Sequence, residues 1–322
     1  MLLQTSFPIP ASPDKITSQS RVISMGSCFA ENMGIRLENL PMEVKNQPLG
    51  TIFHPITLAR ILDFIPPNPE ECYEFQGFFN HPDFSSRFTQ TSADSLCHEI
   101  QEIQSTTKEF LQKADWLILT FGTSFQYFDN HLNKAIGNCH KQANSRFSKS
   151  LASLEEMGVA MEGALEKLKT LNPSLKVILT VSPVRHTKEG MPENAVSKSL
   201  LRVLADVLCK KLEHVQYFPA YEIMLDELRD YRFYESDLIH PNKLAQDYVY
   251  QKTKETYFST ELNDLDSAWH GLARMLDHRP HPTKIELHKA NILSAFKRIE
   301  GQFPAIDFLK WQAKIKAQQG SL

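Results

Sequence analysis

The sequence has no run of about 18 apolar residues of the kind a membrane-spanning helix needs. Its opening, Met1-Leu2-Leu3-Gln4-Thr5-Ser6-Phe7-Pro8, has neither the cationic start nor the apolar stretch of a secretory leader. A cytoplasmic location is the default expectation. Charge excess is missing too: 35 Lys and Arg against 38 Asp and Glu leave a formal −3. No global field therefore draws the chain to nucleic acid or an anionic membrane, and neither is expected as a partner. The five cysteines, Cys28, Cys72, Cys97, Cys139 and Cys209, are odd in number and lack CxxC spacing. That pattern argues against a disulfide framework and against a zinc knuckle. No internal repeat is found.

What is present is a chain of 322 residues, 42% of them hydrophobic, long enough to bury a full core. Arg21-Val22-Ile23-Ser24-Met25 is a short β-rich run that ends at Gly26, with helix-compatible sequence from Phe29 to about Leu40. Residues 115–121 and 175–181 are continuous apolar runs, the signature of buried parallel strands. Helices are expected over about 148–170, where Leu151, Leu154, Met161, Leu165 and Leu168 recur on one face, and over about 194–213. A fourth strand at 215–218 precedes a helix over about 220–229. Alternating strands and helices make a three-layer α/β/α domain with a mostly parallel sheet the expected fold.

Two segments interrupt that alternation. Residues 41–113 are rich in Pro and Phe early and helical from about Ser92, and residues 125–136 read as a hairpin turning at Asp129-Asn130. Insertions of this kind commonly shape a pocket. The expected division is a domain over 1–257 followed by a helical C-terminal extension over 258–322.

In open parallel sheets, sites form beyond the C-terminal ends of the strands. After the first strand come Ser27 and Cys28, at a helix N-terminus whose free N–H groups can lower a thiol pKa or hold an oxyanion. After the second comes Gly122-Thr123-Ser124. Late in the chain comes Asp237-Leu238-Ile239-His240, where a carboxylate three residues before an imidazole can orient it as a base. The plainer reading of Asp237 is a cap for a helix beginning near Asn242.

Gly26-Ser27-Cys28-Phe29-Ala30 resembles the signature of the GSCFA family, a bacterial group similar to SGNH/GDSL hydrolases. The resemblance is reinforced by Asn46-Gln47-Pro48-Leu49-Gly50, Asn138-Cys139-His140-Lys141, Ser182-Pro183-Val184-Arg185-His186 and Tyr231-Arg232-Phe233-Tyr234. It covers roughly residues 15–255. It implies an SGNH-like, flavodoxin-like hydrolase whose first turn bears the nucleophile and whose Asp237 and His240 complete the triad. SGNH enzymes carry Gly-Asp-Ser after that strand, and overlaying the glycines places Cys28 on the nucleophile, with Ser27 the rival. For the oxyanion hole the Cys28 amide is one candidate, Gly50 a second by resemblance, and Gly122-Thr123 stands where the family pattern usually offers an Asn. The Gly-x-Asn-Asp block is absent here, and Thr123 or Asn138 is the candidate substitute, a choice the sequence leaves open.

The expected function is acyl-ester hydrolysis of the esterase or deacetylase type, on an O-acylated carbohydrate or small ester, without a cofactor. O-acyl transfer through the same site, and a non-catalytic ligand-binding module of the same fold, are the alternatives. His140 and His186 are weighed as pocket residues against ordinary hydrogen-bonded histidines. A metal held by Cys28, Cys139, His140 and His240 has no standard spacing behind it. Subunit number is not legible in the sequence.

Overall fold

The computed structural model describes residues 5–320; Met1 to Gln4, part of the opening read above, lie outside them. Ten strands are present among the described residues. Five, β1 (Arg21–Gly26), β2 (Glu43–Asn46), β5 (Trp116–Phe121), β9 (Lys176–Val181) and β10 (Val215–Tyr217), make one sheet in the order β10-β9-β5-β1-β2. β1 with β5, β5 with β9 and β9 with β10 pair in parallel. Leu117, Leu119 and Phe121 share a hydrophobic core with Val177, Leu179 and Val181 and with Met157, Leu165, Leu201 and Leu204 of the crossover helices. The alternate positions Val22, Ile118 and Ile178 are buried as well. Both faces are therefore covered, which is why these strands read as unbroken apolar runs. The chain leaves β1 towards β2 on one side and returns at β5 on the other. That reversal opens a crevice at the C-terminal ends of β1 and β5.

The crossovers are α1 (Cys28–Glu38), α2 (Pro55–Leu62), α3 (Ala93–Leu111), α4 (Leu154–Leu171) and α5 (Met191–Lys211). The segment after β2 also holds the small hairpin β3 (Tyr73–Phe75) and β4 (Phe78–Asn80). A second sheet, in the order β7-β6-β8, is built from β6 (Phe125–Asp129), β7 (Lys134–Ile136) and β8 (Phe147–Leu151). β8 corrects the expectation of a helix from 148: Phe147 to Leu151 pairs antiparallel with all of β6. The helix starts only at Leu154, after Ser153 and Glu156 form a capping box. The β6–β7 turn is also longer than two residues, because Asp129 Oδ1 accepts from the amides of His131 and Leu132 at 2.8 and 3.2 Å.

The expected helix over 220–229 is a single turn, α6 (Ala220–Glu222), followed by a π-helical stretch over Ile223–Glu227. There the Leu228 amide donates to the Ile223 carbonyl at 2.9 Å. α7 (Lys243–Tyr257), α8 (Thr260–Asp277), α9 (Ile285–Gln302) and α10 (Leu309–Gly320) complete the chain.

Two compact units are resolved. One takes the segment up to Pro8, Arg21–Ile35 and Val44–Tyr250, and holds the main sheet. The other takes Ile9–Ser20, Arg36–Glu43 and the chain from Gln251 onward. Within the second, Ile16 forms a parallel bridge to Phe258, and Trp269 packs against Phe296, Phe308 and Trp311. Among the described residues no helix is long and apolar enough to cross a membrane.

Candidate active site

The turn after β1 needs a glycine. Gly26 has φ +125°, and a Cβ there would lie 2.2 Å from the Thr120 carbonyl oxygen. Gln47, itself buried, grips the turn with both ends of its amide. Its Oε1 accepts from the Gly26 amide at 3.1 Å, and its Nε2 donates to the Gly26 and Ser27 carbonyls at 3.1 and 2.9 Å. The Ser27 amide donates across to Thr120 O at 3.1 Å, so the turn is fixed against β5.

Ser27 is fully buried, and its Oγ accepts from the Phe29 amide at 3.3 Å, the arrangement of a helix cap. Cys28, the first residue of α1, is only half-buried. Burial pushes its thiol pKa up. The Lys198 ammonium and the amides of Cys28 and Phe29 pull it down, while Glu31 adds to the rise.

Lys198 is the residue sequence reasoning missed. It lies on α5 and is wholly buried, with Nζ donating to Gly122 O at 2.6 Å and Ser182 O at 2.7 Å. It thus ties the segment after β5 to the segment after β9. Burial lowers its pKa to about 7, opposed by Cys28. No local pattern marks such a lysine, because both of its partners are carbonyls from distant strands.

The late motif places Asp237 and His240 in contact. Asp237 Oδ2 accepts from His240 Nδ1 at 2.7 Å, and Asp237 Oδ1 accepts from the Ile239 and His240 amides at 2.8 and 3.0 Å. Those donors, the His240 amide and ring first, hold the Asp237 carboxyl at about 2. The ring is half exposed, leaving Nε2 for a second partner. Asp237 does not cap the following helix: Asn242 does, its Oδ1 accepting from the Ala245 amide at 3.1 Å. Leu238 takes φ +58° so that the loop can fold back, and Tyr234 bridges Pro241.

Arg185, in the segment after β9, holds this loop. Its amide donates to Ile239 O at 3.3 Å, its guanidinium donates to Leu238 O at 3.2 Å, and it stacks over Tyr234 at 4.1 Å. Thr120, Lys198 and Arg185 in turn link the Cys28 turn, the ends of β5 and β9, and the His240 loop.

The other sequence-predicted residues fall as follows. The Gly50 amide donates to Gln47 O, and those of Gly122 and Thr123 both donate to Phe53 O, so these three N–H groups are engaged within the scaffold. Thr123 Oγ1 lies 3.2 Å from Ser197 Oγ. The Asn138 amide donates to Pro82 O and its Oδ1 accepts from the His140 amide. His140 is buried, its Nε2 at 2.9 Å from His81 O and its Nδ1 at 3.3 Å from Ser86 Oγ. That is the pattern of a loop-fastening histidine. His186 differs: its Nε2 is buried without a hydrogen-bond partner. Among the described residues no three His, Cys, Asp or Glu side chains gather as a metal set, the four weighed above included.

Residues 21–252 match the GSCFA family, and the chain belongs to it. A comparison with curated proteins finds no match. Among solved structures the chain is similar to a carbohydrate esterase of family 3 from Talaromyces cellulolyticus, at 10% identity and a TM-score of 0.38, covering 77% of this chain and 99% of that one. It is also similar to an acetyl xylan esterase from the rumen bacterium Butyrivibrio proteoclasticus, at 10% identity and a TM-score of 0.36, covering 84% and 66%.

Proposed function

We propose that the protein is an acyl-ester hydrolase in which Cys28 is the nucleophile, His240 the base and Asp237 its orienter. The observation that carries this reading is the 2.7 Å bond between Asp237 and His240 Nδ1 on a half-exposed ring. That bond fixes the tautomer and turns Nε2 into the acceptor. Cys28 is preferred over Ser27 because Ser27 is fully buried and engaged as a cap, whereas the thiol is partly open.

His240 removes the thiol proton, and the sulfur attacks the ester carbonyl to give a tetrahedral oxyanion, for which the Cys28 amide is a donor. The oxyanion collapses, the C–O bond breaks, and the alcohol leaves with the proton from His240. Water, deprotonated by His240, then cleaves the thioester, releasing the carboxylate and restoring the thiol. Because burial raises the thiol pKa, the base is required rather than optional.

A second reading, non-catalytic ligand binding, is favoured by one observation. The amides of Gly50, Gly122 and Thr123 are already engaged, which leaves few oxyanion donors.

Turnover of p-nitrophenyl acetate decides the first reading. Cys28→Ala and His240→Ala are each expected to lose about 10²-fold or more. Ser27→Ala is expected to keep turnover while losing about 1 kcal/mol of stability, measured by urea unfolding. A wild type no faster than buffer would sink the hydrolase reading and leave the second.

A further inference from the structure

Next to Ile239, the neighbour of His240, lies a half-open pocket of about 390 Å³, lined in part by the segment after β9. Ligand sites usually span about 300–1,000 Å³, so this one accommodates a single ring rather than an oligomer. Phe53, Phe125 and Tyr127 supply flat apolar surfaces. Lys149, Arg185 and Lys188 supply positive charge against the one carboxylate of Glu189, three minus one among the lining residues.

Lys149 pairs with Glu189 and lies over Tyr127 at 4.7 Å. Lys188 Nζ donates to the Tyr127 hydroxyl at 3.0 Å, which spends one of its three hydrogens. Glu189 also acts on Lys188, so three cations share one carboxylate of the lining and a net positive charge remains. His186 adds a polar group in want of a partner. Its ring packs edge-on against Phe53 at 5.7 Å, and its Nε2 is buried and unbonded. Burial first, then the charges of Lys198, Lys149 and His240, hold its pKa down at about 3, so the ring stays neutral and can exchange one hydrogen bond with a hydroxyl.

We infer that this cavity is the subsite for the alcohol part of the substrate, and that it selects a single hydroxylated ring bearing an anion, either carboxylate or phosphate. The inference rests on the hydrolase reading only for the word substrate. The cavity's preference for an anionic ring is a binding property and is tested as one.

Cys28→Ala protein, full length, is titrated calorimetrically with glucuronate, glucose 6-phosphate and glucose at 20 and 200 mM salt. At least one of the two anions is expected to bind tenfold or more tightly than glucose, with that margin shrinking at the higher salt. Which anion leads identifies carboxylate or phosphate. Lys188→Gln should cut the margin severalfold. Glu189→Gln, which leaves Lys149 without its partner, should widen it, so two variants of one site move in opposite directions and neither shift is mistaken for misfolding. Equal affinity for all three sugars, or binding of none, overturns the inference. A preference for the anion in a protein that shows no p-nitrophenyl acetate turnover keeps the site and removes the hydrolase.

Discussion

Lys198 exposes how much of the chemistry at this sheet edge is set by a side chain that never reaches solvent. Its ammonium lowers the Cys28 thiol pKa, so Lys198→Met should lower the rate of Cys28 alkylation by iodoacetamide in the part of the pH profile below about pH 7, where the lysine still holds its proton. An unmoved profile, followed by mass spectrometry, would show that the thiol does not feel the charge. The lysine also has its own pH signature. Buried, it gives up its proton at about 7, against 10.5 when unperturbed. Between those values the unfolded chain binds more protons, so this group makes stability rise with pH across that window, and the full burial cost is present below it. Thermal unfolding should show the rise in wild type and lose it in Lys198→Met. The strand-to-helix turn that carries Ser27 and Cys28, and the Asp237–His240 pair, were legible in the sequence because each announces itself within a few residues. Lys198, Gln47 and Arg185 were not, because each acts on backbone groups far away in the chain.

At the scale of elements, the turn between β1 and α1 is the most constrained. Gly26→Ala would force a positive φ on a residue with a Cβ and drive that Cβ against Thr120 O. A loss on the order of 3 kcal/mol is expected from urea unfolding; a loss under about 1 kcal/mol would show that the turn can relax. The core strands were readable because burial on both faces makes them continuous apolar runs. β8 was not. Leu151 continues the helical spacing of Leu154, Met161, Leu165 and Leu168, yet Phe147, Lys149 and Leu151 also alternate, and pairing with β6 decided in favour of the strand. The π-helical stretch at Ile223–Glu227 carries no local signal either.

At the scale of the whole molecule, the second unit depends on an aromatic cluster of its own. Trp269 is stacked on Phe308 at 5.9 Å and meets Trp311 edge-on at 4.9 Å. Trp269→Ala should cost about 3–5 kcal/mol in denaturant unfolding followed by helical circular dichroism; a cost below about 1 kcal/mol would mean the cluster contributes little. The helical character of this region was legible in its sequence, whereas the recruitment of Ile9–Ser20 was not, since the scattered bonds that tie Ser12, Lys15, Ile16 and Ser18 to residues 256–261 leave no periodic trace. The grip of Gln47 and Thr120 on the turn has a consequence for synthesis. Every partner that shapes the cysteine's surroundings up to Gly122 emerges from the ribosome before any part of the His240 loop exists. The nascent chain therefore carries its thiol for more than a hundred residues before His240, the proposed base, is made.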